Sequence, residues 1–184
     1  MRAFLAVELP EGVNETVSRG IAELRRRLPS ARWVRPGSVH VTLRFLGEQE
    51  PELLTALGER VAAELKSLPP AIVSLAGGGF FPHDRRPRVA WLGGQAPGLD
   101  AWAAAIERCA SDLGVEPEER PFSLHVTLAR LDRPWGVADV ETFAVVVSKW
   151  HLPEFTAREL VLFASELRPS GAVHTPLRRI AAGG

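Results

Sequence analysis

Cysteine is nearly absent from this 184-residue chain, and tyrosine is missing altogether. The single Cys109 excludes an internal disulfide framework and a cysteine-rich zinc module, and it fits a reducing compartment. No apolar run reaches the roughly 18–20 residues needed to span a bilayer. The opening MRAFLAVELPEG turns acidic too early for a secretory leader, so we expect a soluble cytoplasmic protein. Net charge is also missing, because 22 basic and 22 acidic residues cancel. That balance argues against a protein that coats a nucleic-acid backbone, though not against a local basic cleft. Only Lys66 and Lys149 are lysines, and the other basic residues are arginines. Arginine suits phosphate oxygens, but a GC-rich coding sequence produces the same bias.

Apolar residues are plentiful at 46%, enough for a core, and the length suits one domain or two tightly packed lobes. Arg2–Leu9 reads as a buried strand closed by Pro10. Val13, Val17, Ile21, Leu24 and Leu28 mark a helix over Glu11–Leu28 that stops at Pro29. Ala31–Val34 and Ser38–Leu46 read as strands. A helix over Glu52–Leu68 ends at Pro69-Pro70. Ala71–Leu75 and Val89–Leu92 are expected strands around an exposed connection, GGGFFPHDRRPR, in which Gly77-Gly78-Gly79 forms a turn. Leu99–Leu113 is a helix with Gly114 just past its end. Leu124–Leu131 is a strand. Val137–Trp150 combines a β-branched AVVV core with helical length, and we expect helix. Phe155–Leu167 and Val173–Ile180 close the chain as two strands around a Pro169-Ser170-Gly171 turn. This mixed order suits an α+β fold with helices packed on antiparallel sheets.

The informative feature is a repeat. Ser38–Leu46 reads SVHVTLRFL and Ser123–Leu131 reads SLHVTLARL, with six of nine positions identical. On a strand, side chains alternate between faces. His40 and Thr42 therefore share one face, as do His125 and Thr127, while the valines and leucines point into a core. Two such strands side by side would gather two imidazoles and two hydroxyls in one small volume. Imidazole exchanges protons near neutrality, so a pair can serve as general acid and general base. Threonine hydroxyls can hydrogen-bond phosphate oxygens or a water. This equipment suits in-line displacement at a phosphodiester, with no metal and no cofactor. A zinc site made from His40, His125 and a carboxylate would be expected to show H-E-x-x-H spacing, which the sequence lacks.

The remaining candidates are weaker. Gly77-Gly78-Gly79 lacks the Lys-Ser/Thr of a phosphate-binding P-loop. His83 sits in the Pro- and Arg-rich loop and reads as solvated, His151 decorates the end of a helix, and His174 could touch a ligand from the last strand but is expected at the surface. Strict alternation puts Arg44 on the His40 face, reaching toward a nucleic-acid strand, and puts Arg130 on the face opposite His125 unless the strand bulges. Trp33, Phe45, Phe81 and Trp91 could stack a base or pack in the core.

The paired HVTL segments resemble the two-histidine (HxTx) phosphoesterase superfamily. More narrowly, FLAVELPEGV, HVTLRFLGE, PRVAWLG, FSLHVTLAR and LVLFASELRPSGAVH are similar to the RNA 2′,3′-cyclic phosphodiesterases, also called 2′-5′ RNA ligases. The resemblance implies a bilobal α+β domain over residues 1–184: two antiparallel sheets flanked by helices, pseudo-twofold symmetric about a central cleft. It implies hydrolysis of RNA 2′,3′-cyclic phosphate ends, with 2′-5′ ligation as the reverse reaction; a noncatalytic RNA-end binder is the reading from another class, and we expect a monomer. The resemblance also implies His40 as proton donor, His125 as proton acceptor, Thr42 and Thr127 on the nonbridging oxygens, and a substrate contact from Arg130; the contacts expected of Arg44 and Phe45 come from strand parity and from the aromatic ring. One departure is visible: related chains often carry a tyrosine near His174, and this chain has none.

Overall fold

The computed structural model describes residues 1–169 and 171–183. Strand β1 (Arg2–Glu8) leads into helix α1 (Glu11–Arg27), the short β2 (Arg32–Trp33) and β3 (His40–Glu48). Helix α2 (Pro51–Leu65) then precedes β4 (Ala71–Phe81). Strand β5 (Val89–Gln95), helix α3 (Pro97–Asp112), β6 (Val126–Arg130) and helix α4 (Val137–Ser148) follow. The chain closes with β7 (Phe155–Ala157), β8 (Glu159–Arg168) and β9 (Gly171–Ala181). The expected Pro169-Ser170-Gly171 turn includes Ser170, which lies outside the described residues.

The strand order is β7-β4-β5-β6-β3-β1-β8-β9, with β2 also on β6. This is the expected α+β architecture with helices against antiparallel strands, but the two expected sheets are joined edge to edge into one continuous nine-stranded sheet. The halves join where β3 meets β6, through the single pair Val41↔Val126. The repeat seen in two motifs extends through the backbone. Phe4, Leu5, Ala6 and Val7 of β1 pair with Phe45, Arg44, Thr42 and Val41 of β3. Val89, Ala90, Trp91 and Leu92 of β5 pair with Arg130, Ala129, Thr127 and Val126 of β6. Each position in the second set lies 85 residues after its counterpart in the first.

Alternation sorts side chains between the faces of the sheet. Leu5, Val7, Val41, Val126 and Leu128 enter the main core, where they meet Val17 and Leu24 of α1 and Trp102 and Ile106 of α3. Phe4 and Ala6 point to the other face and form a small apolar floor with Val161 and Phe163. The cleft lies over that floor.

Two local expectations change. Gly77-Gly78-Gly79 is not a turn but part of β4, where Gly78 pairs with Leu92 and Gly79 with Trp91. A Cβ on Gly78 would come within 2.8 Å of the Phe143 ring on α4, and one on Gly79 within 2.4 Å of the Trp91 indole. The glycines serve close packing, and the strand bulges at Gly77, whose φ is +70°. The segment expected as one strand over Phe155–Leu167 splits at Arg158, with β7 pairing β4 and β8 pairing β1. The Val-rich α4 is a helix, as expected, because Phe143, Val146 and Val147 bury along one side.

Candidate functional site

His40 and Thr42 come from β3; Thr127 comes from β6, and His125 from the residue before it. Val41, Leu43, Val126 and Leu128 anchor both segments in the core. The four polar side chains line one cavity of about 280 Å³. Antiparallel pairing on either side of Val41↔Val126 sets His40 opposite Thr127 and Thr42 opposite His125. The imidazoles therefore occupy one diagonal of the quartet and the hydroxyls the other.

The two histidines are held alike. His40 Nδ1 lies 2.9 Å from the Ser38 carbonyl oxygen, and His125 Nδ1 lies 2.8 Å from that of Ser123. A carbonyl only accepts, so each ring donates through Nδ1, and its neutral form keeps a bare lone pair on Nε2. Neither threonine hydroxyl bonds another described residue, which leaves both available to a ligand.

Their surroundings differ. His40 stacks on Phe4 at 5.0 Å between ring centroids and meets His174 edge-on at 5.5 Å. Burial, reinforced by the neighbouring His174 and His125, pushes His40 down to about 4, against the opposing pull of the Ser38 carbonyl and Glu8. His125 meets the Phe81 ring edge-on at 5.0 Å. The cavity opens beside His40 into a pocket of about 850 Å³ and beside His125 into one of about 680 Å³. Phe45, Phe81 and Phe122 give the latter an apolar wall.

Parity fails on both motif strands at the same place. Leu43 is left out of the β1–β3 register and Leu128 out of the β5–β6 register, each an extra residue immediately after the His-x-Thr triplet. Such a bulge reverses which residues face the cleft. Arg44, expected on the His40 face, is instead buried at 8% exposure. Its Nε lies 2.6 Å from Glu107 Oε2, its guanidinium also faces Glu118, and it donates to the carbonyls of Phe45 and Glu116. Arg44 fastens β3 to α3 and the loop after it. Phe45 takes its place in the cavity wall and is half exposed. On β6 the same reversal brings Arg130, expected on the opposite face, to the cavity beside Thr127. Its side chain pairs with no other described residue.

For His174 the structure favours the alternative of a ligand contact over the expected surface position. The ring lines the cavity rather than the outer surface, and burial lowers its pKa. Its place follows from Phe4 and Phe163 beneath it, contacts between strands far apart in sequence. His83 accepts a hydrogen bond from the Arg86 amide in an exposed loop, and His151 is exposed beyond α4. Trp33 packs on Trp135, and Trp91 packs on Phe81. Among the described residues, no cluster of three or more His, Cys, Asp or Glu is arranged to hold a metal ion.

Comparison with known proteins agrees with this geometry. A family model described as LigT-like phosphoesterase matches residues 7–91 and 93–174, one match for each copy of the repeat. A Thermus thermophilus protein named RNA 2′,3′-cyclic phosphodiesterase is 33% identical over 195 aligned positions, covering 100% of this chain and 91% of its own. One of the same name from Archaeoglobus fulgidus is 30% identical, covering 97% and 98%. The crystal structure of Thermus thermophilus TT0787 superposes with a TM-score of 0.81 at 29% identity, covering 100% of this chain and 99% of its own. Escherichia coli LigT complexed with 3′-AMP superposes at 0.75 and 28% identity, covering 98% and 97%.

Proposed function

Because the chain belongs to the LigT-like phosphoesterase family, we propose that it hydrolyses the 2′,3′-cyclic phosphate ends of RNA to 2′-phosphomonoesters. The observation that carries this reading is the quartet of His40, Thr42, His125 and Thr127 around one cavity, with both imidazoles presenting Nε2.

His125 Nε2 takes a proton from a water, and the water oxygen attacks phosphorus. The P–O3′ bond breaks on the opposite side, and His40, protonated when the substrate is bound, gives its Nε2 proton to O3′. The phosphate stays on O2′. Thr42 and Thr127 donate to the nonbridging oxygens, and Arg130 balances their charge. Phe45 offers an aromatic face to a base or ribose. Diagonal placement of the imidazoles supports the opposed geometry that in-line displacement requires. With a 5′-hydroxyl in place of water, the same groups would form a 2′-5′ linkage.

The anion also resolves a demand on His40. Burial holds the free ring neutral at physiological pH, whereas an acid must begin charged. A phosphodiester anion beside the ring favours its protonated form, so substrate and acid proton enter together.

We read the enzyme as a monomer of the cytoplasm acting as one bilobal domain over residues 1–184. The site is completed within one chain, the main core draws on both halves, and Cys109 is a free buried thiol. Among the described residues, no helix is long and apolar enough to cross a membrane. The test is incubation of EDTA-treated protein with an oligonucleotide ending in a 2′,3′-cyclic phosphate. Accumulation of the 2′-phosphate supports the reading, and an unchanged substrate at stoichiometric protein overturns it.

A further inference from the structure

Two of the three imidazoles around the cavity have Nδ1 tied to a carbonyl; the third, His174, is arranged the other way round. It sits on β9 opposite Ser165 and meets both His40 and Phe4 edge-on, at 5.5 and 4.9 Å. It lines the central cavity and also the larger pocket beside His40. Its Nδ1 is buried with no hydrogen-bond partner among the described residues, so Nε2 is the nitrogen left to meet a ligand.

A neutral imidazole carries one N–H. An N–H buried without an acceptor is costlier than an unfilled lone pair. The proton therefore belongs on Nε2, and the ring presents a donor to the cavity where His40 and His125 present acceptors. Burial lowers the pKa of His174, and a second proton would have to sit on Nδ1, buried without an acceptor, so the ring stays uncharged even beside the anion that protonates His40, whose Nδ1 proton has the Ser38 carbonyl. From this arrangement we infer that His174 is a third substrate-binding imidazole, a neutral Nε2–H donor to a nonbridging oxygen of the phosphate held beside His40. The inference deepens the phosphodiesterase reading and rests on it for the identity of the ligand.

Neutrality has a use at this position. His40 must acquire a proton when the substrate binds, and a second cation at 5.5 Å would oppose that step. The other charged or titratable groups acting on His40 are Glu8 at the end of β1 and His125 beside β6. A neutral donor adds a bond to the anion without repelling the acid's proton. His40 and His125 then exchange protons with the reacting atoms, while His174 binds without taking part in the transfer.

The test uses His174→Phe, which keeps an aromatic ring but no donor, and His174→Gln, whose amide nitrogen can reach the position of Nε2. Sulfate serves as a probe of binding alone, and a nucleoside 2′,3′-cyclic phosphate reports turnover. We expect His174→Phe to weaken sulfate binding and raise KM by about 10–100-fold, the range for a lost hydrogen bond to a charged group. Its kcat should fall by less, and His174→Gln should recover most of the loss. Ring ¹⁵N correlations of the wild type should place the proton on Nε2 of His174 and on Nδ1 of His40 and His125. Wild-type behaviour of His174→Phe overturns the inference, as does a correctly melting His174→Gln with no recovery. If His174→Phe does not fold, the tautomer decides: an Nδ1 proton on His174 overturns it. Because sulfate binding and tautomer need no turnover, a protein that binds sulfate through His174 but leaves the cyclic phosphate intact sinks the phosphodiesterase reading alone.

Discussion

Val41 of the first motif strand pairs with Val126 of the second, its own counterpart 85 residues later. A residue paired with its own equivalent lies on the axis relating the two halves. The flanking histidines and threonines consequently reach the cavity in equivalent poses from opposite directions. Imidazoles carried this way can work on the two sides of one phosphorus, whereas tandem copies on a single strand could not.

Loss of either imidazole should stop turnover without unfolding the chain. His40→Ala and His125→Ala should each lower kcat by about 10²–10⁴-fold, the usual contribution of a positioned acid or base. Both side chains face the cavity, so melting temperatures should stay near wild type. Steady-state rates on a 2′,3′-cyclic nucleotide, run beside thermal melts, check both halves of the statement. A normal rate in either variant removes that residue from the mechanism.

Much of this site was legible because the repeat is short, local and duplicated. The backbone carbonyls of Ser38 and Ser123 set the imidazole tautomers, but any residue there would offer the same acceptor, so this part of the site left no mark in the sequence. Alternation failed at Leu43 and Leu128, because a bulge depends on the neighbouring strand and leaves no local mark in the motif. The same bulge exchanged the roles expected of Arg44 and withdrew Arg130 from the far face. Gly77-Gly78-Gly79 misled for a related reason. Glycine marks both turns and close packing, and only the Phe143 and Trp91 rings distinguish the two. His174 was hidden because its neighbours Phe4 and His40 come from the opposite end of the chain.

Arg130 and Arg44 should separate cleanly by experiment. Arg130→Met should raise KM on the cyclic nucleotide about tenfold or more, the scale of one charge-assisted bond, with little change in stability. Thr42→Val and Thr127→Val should show smaller effects, divided between KM and kcat. Inorganic sulfate should compete poorly against substrate in the Arg130 variant. An unchanged KM with unchanged sulfate inhibition would remove Arg130 from the phosphate site.

Arg44→Met should act on stability instead. The substitution leaves Glu107 without its 2.6 Å partner and frees the Glu116 carbonyl. Glu107 is about a third exposed and can rehydrate, so the cost should be about 1–3 kcal/mol, below that of a fully buried pair. For a chain of this length that corresponds to a fall of roughly 2–12 °C in Tm. Rates per folded molecule at moderate temperature should remain within a few-fold of wild type. A variant that melts normally but loses activity would return Arg44 to the substrate site.

Proton linkage at His40 is the sharpest test of which imidazole is the acid. The folded chain holds His40 at about 4 mainly by burial, below the 6.5 of an unperturbed ring. An unfolded chain therefore binds the extra proton first as pH falls. This contribution to folding is present above about pH 6.5 and is lost progressively toward pH 4. Urea midpoints should decline across that window, and His40→Asn should flatten part of the decline. Ligand binding works in the opposite direction. An anion beside the ring raises its pKa, so at pH 6, where the free ring is neutral, sulfate should bind with uptake of close to one proton. Sulfate affinity should then weaken by up to tenfold for each unit of rising pH. Calorimetry in two buffers of different ionisation enthalpy measures the uptake, and His40→Asn should abolish most of it. Sulfate binding with no proton uptake in the wild type would mean that His40 stays neutral in the complex. The acid would then have to be His125, and the two imidazoles would exchange parts.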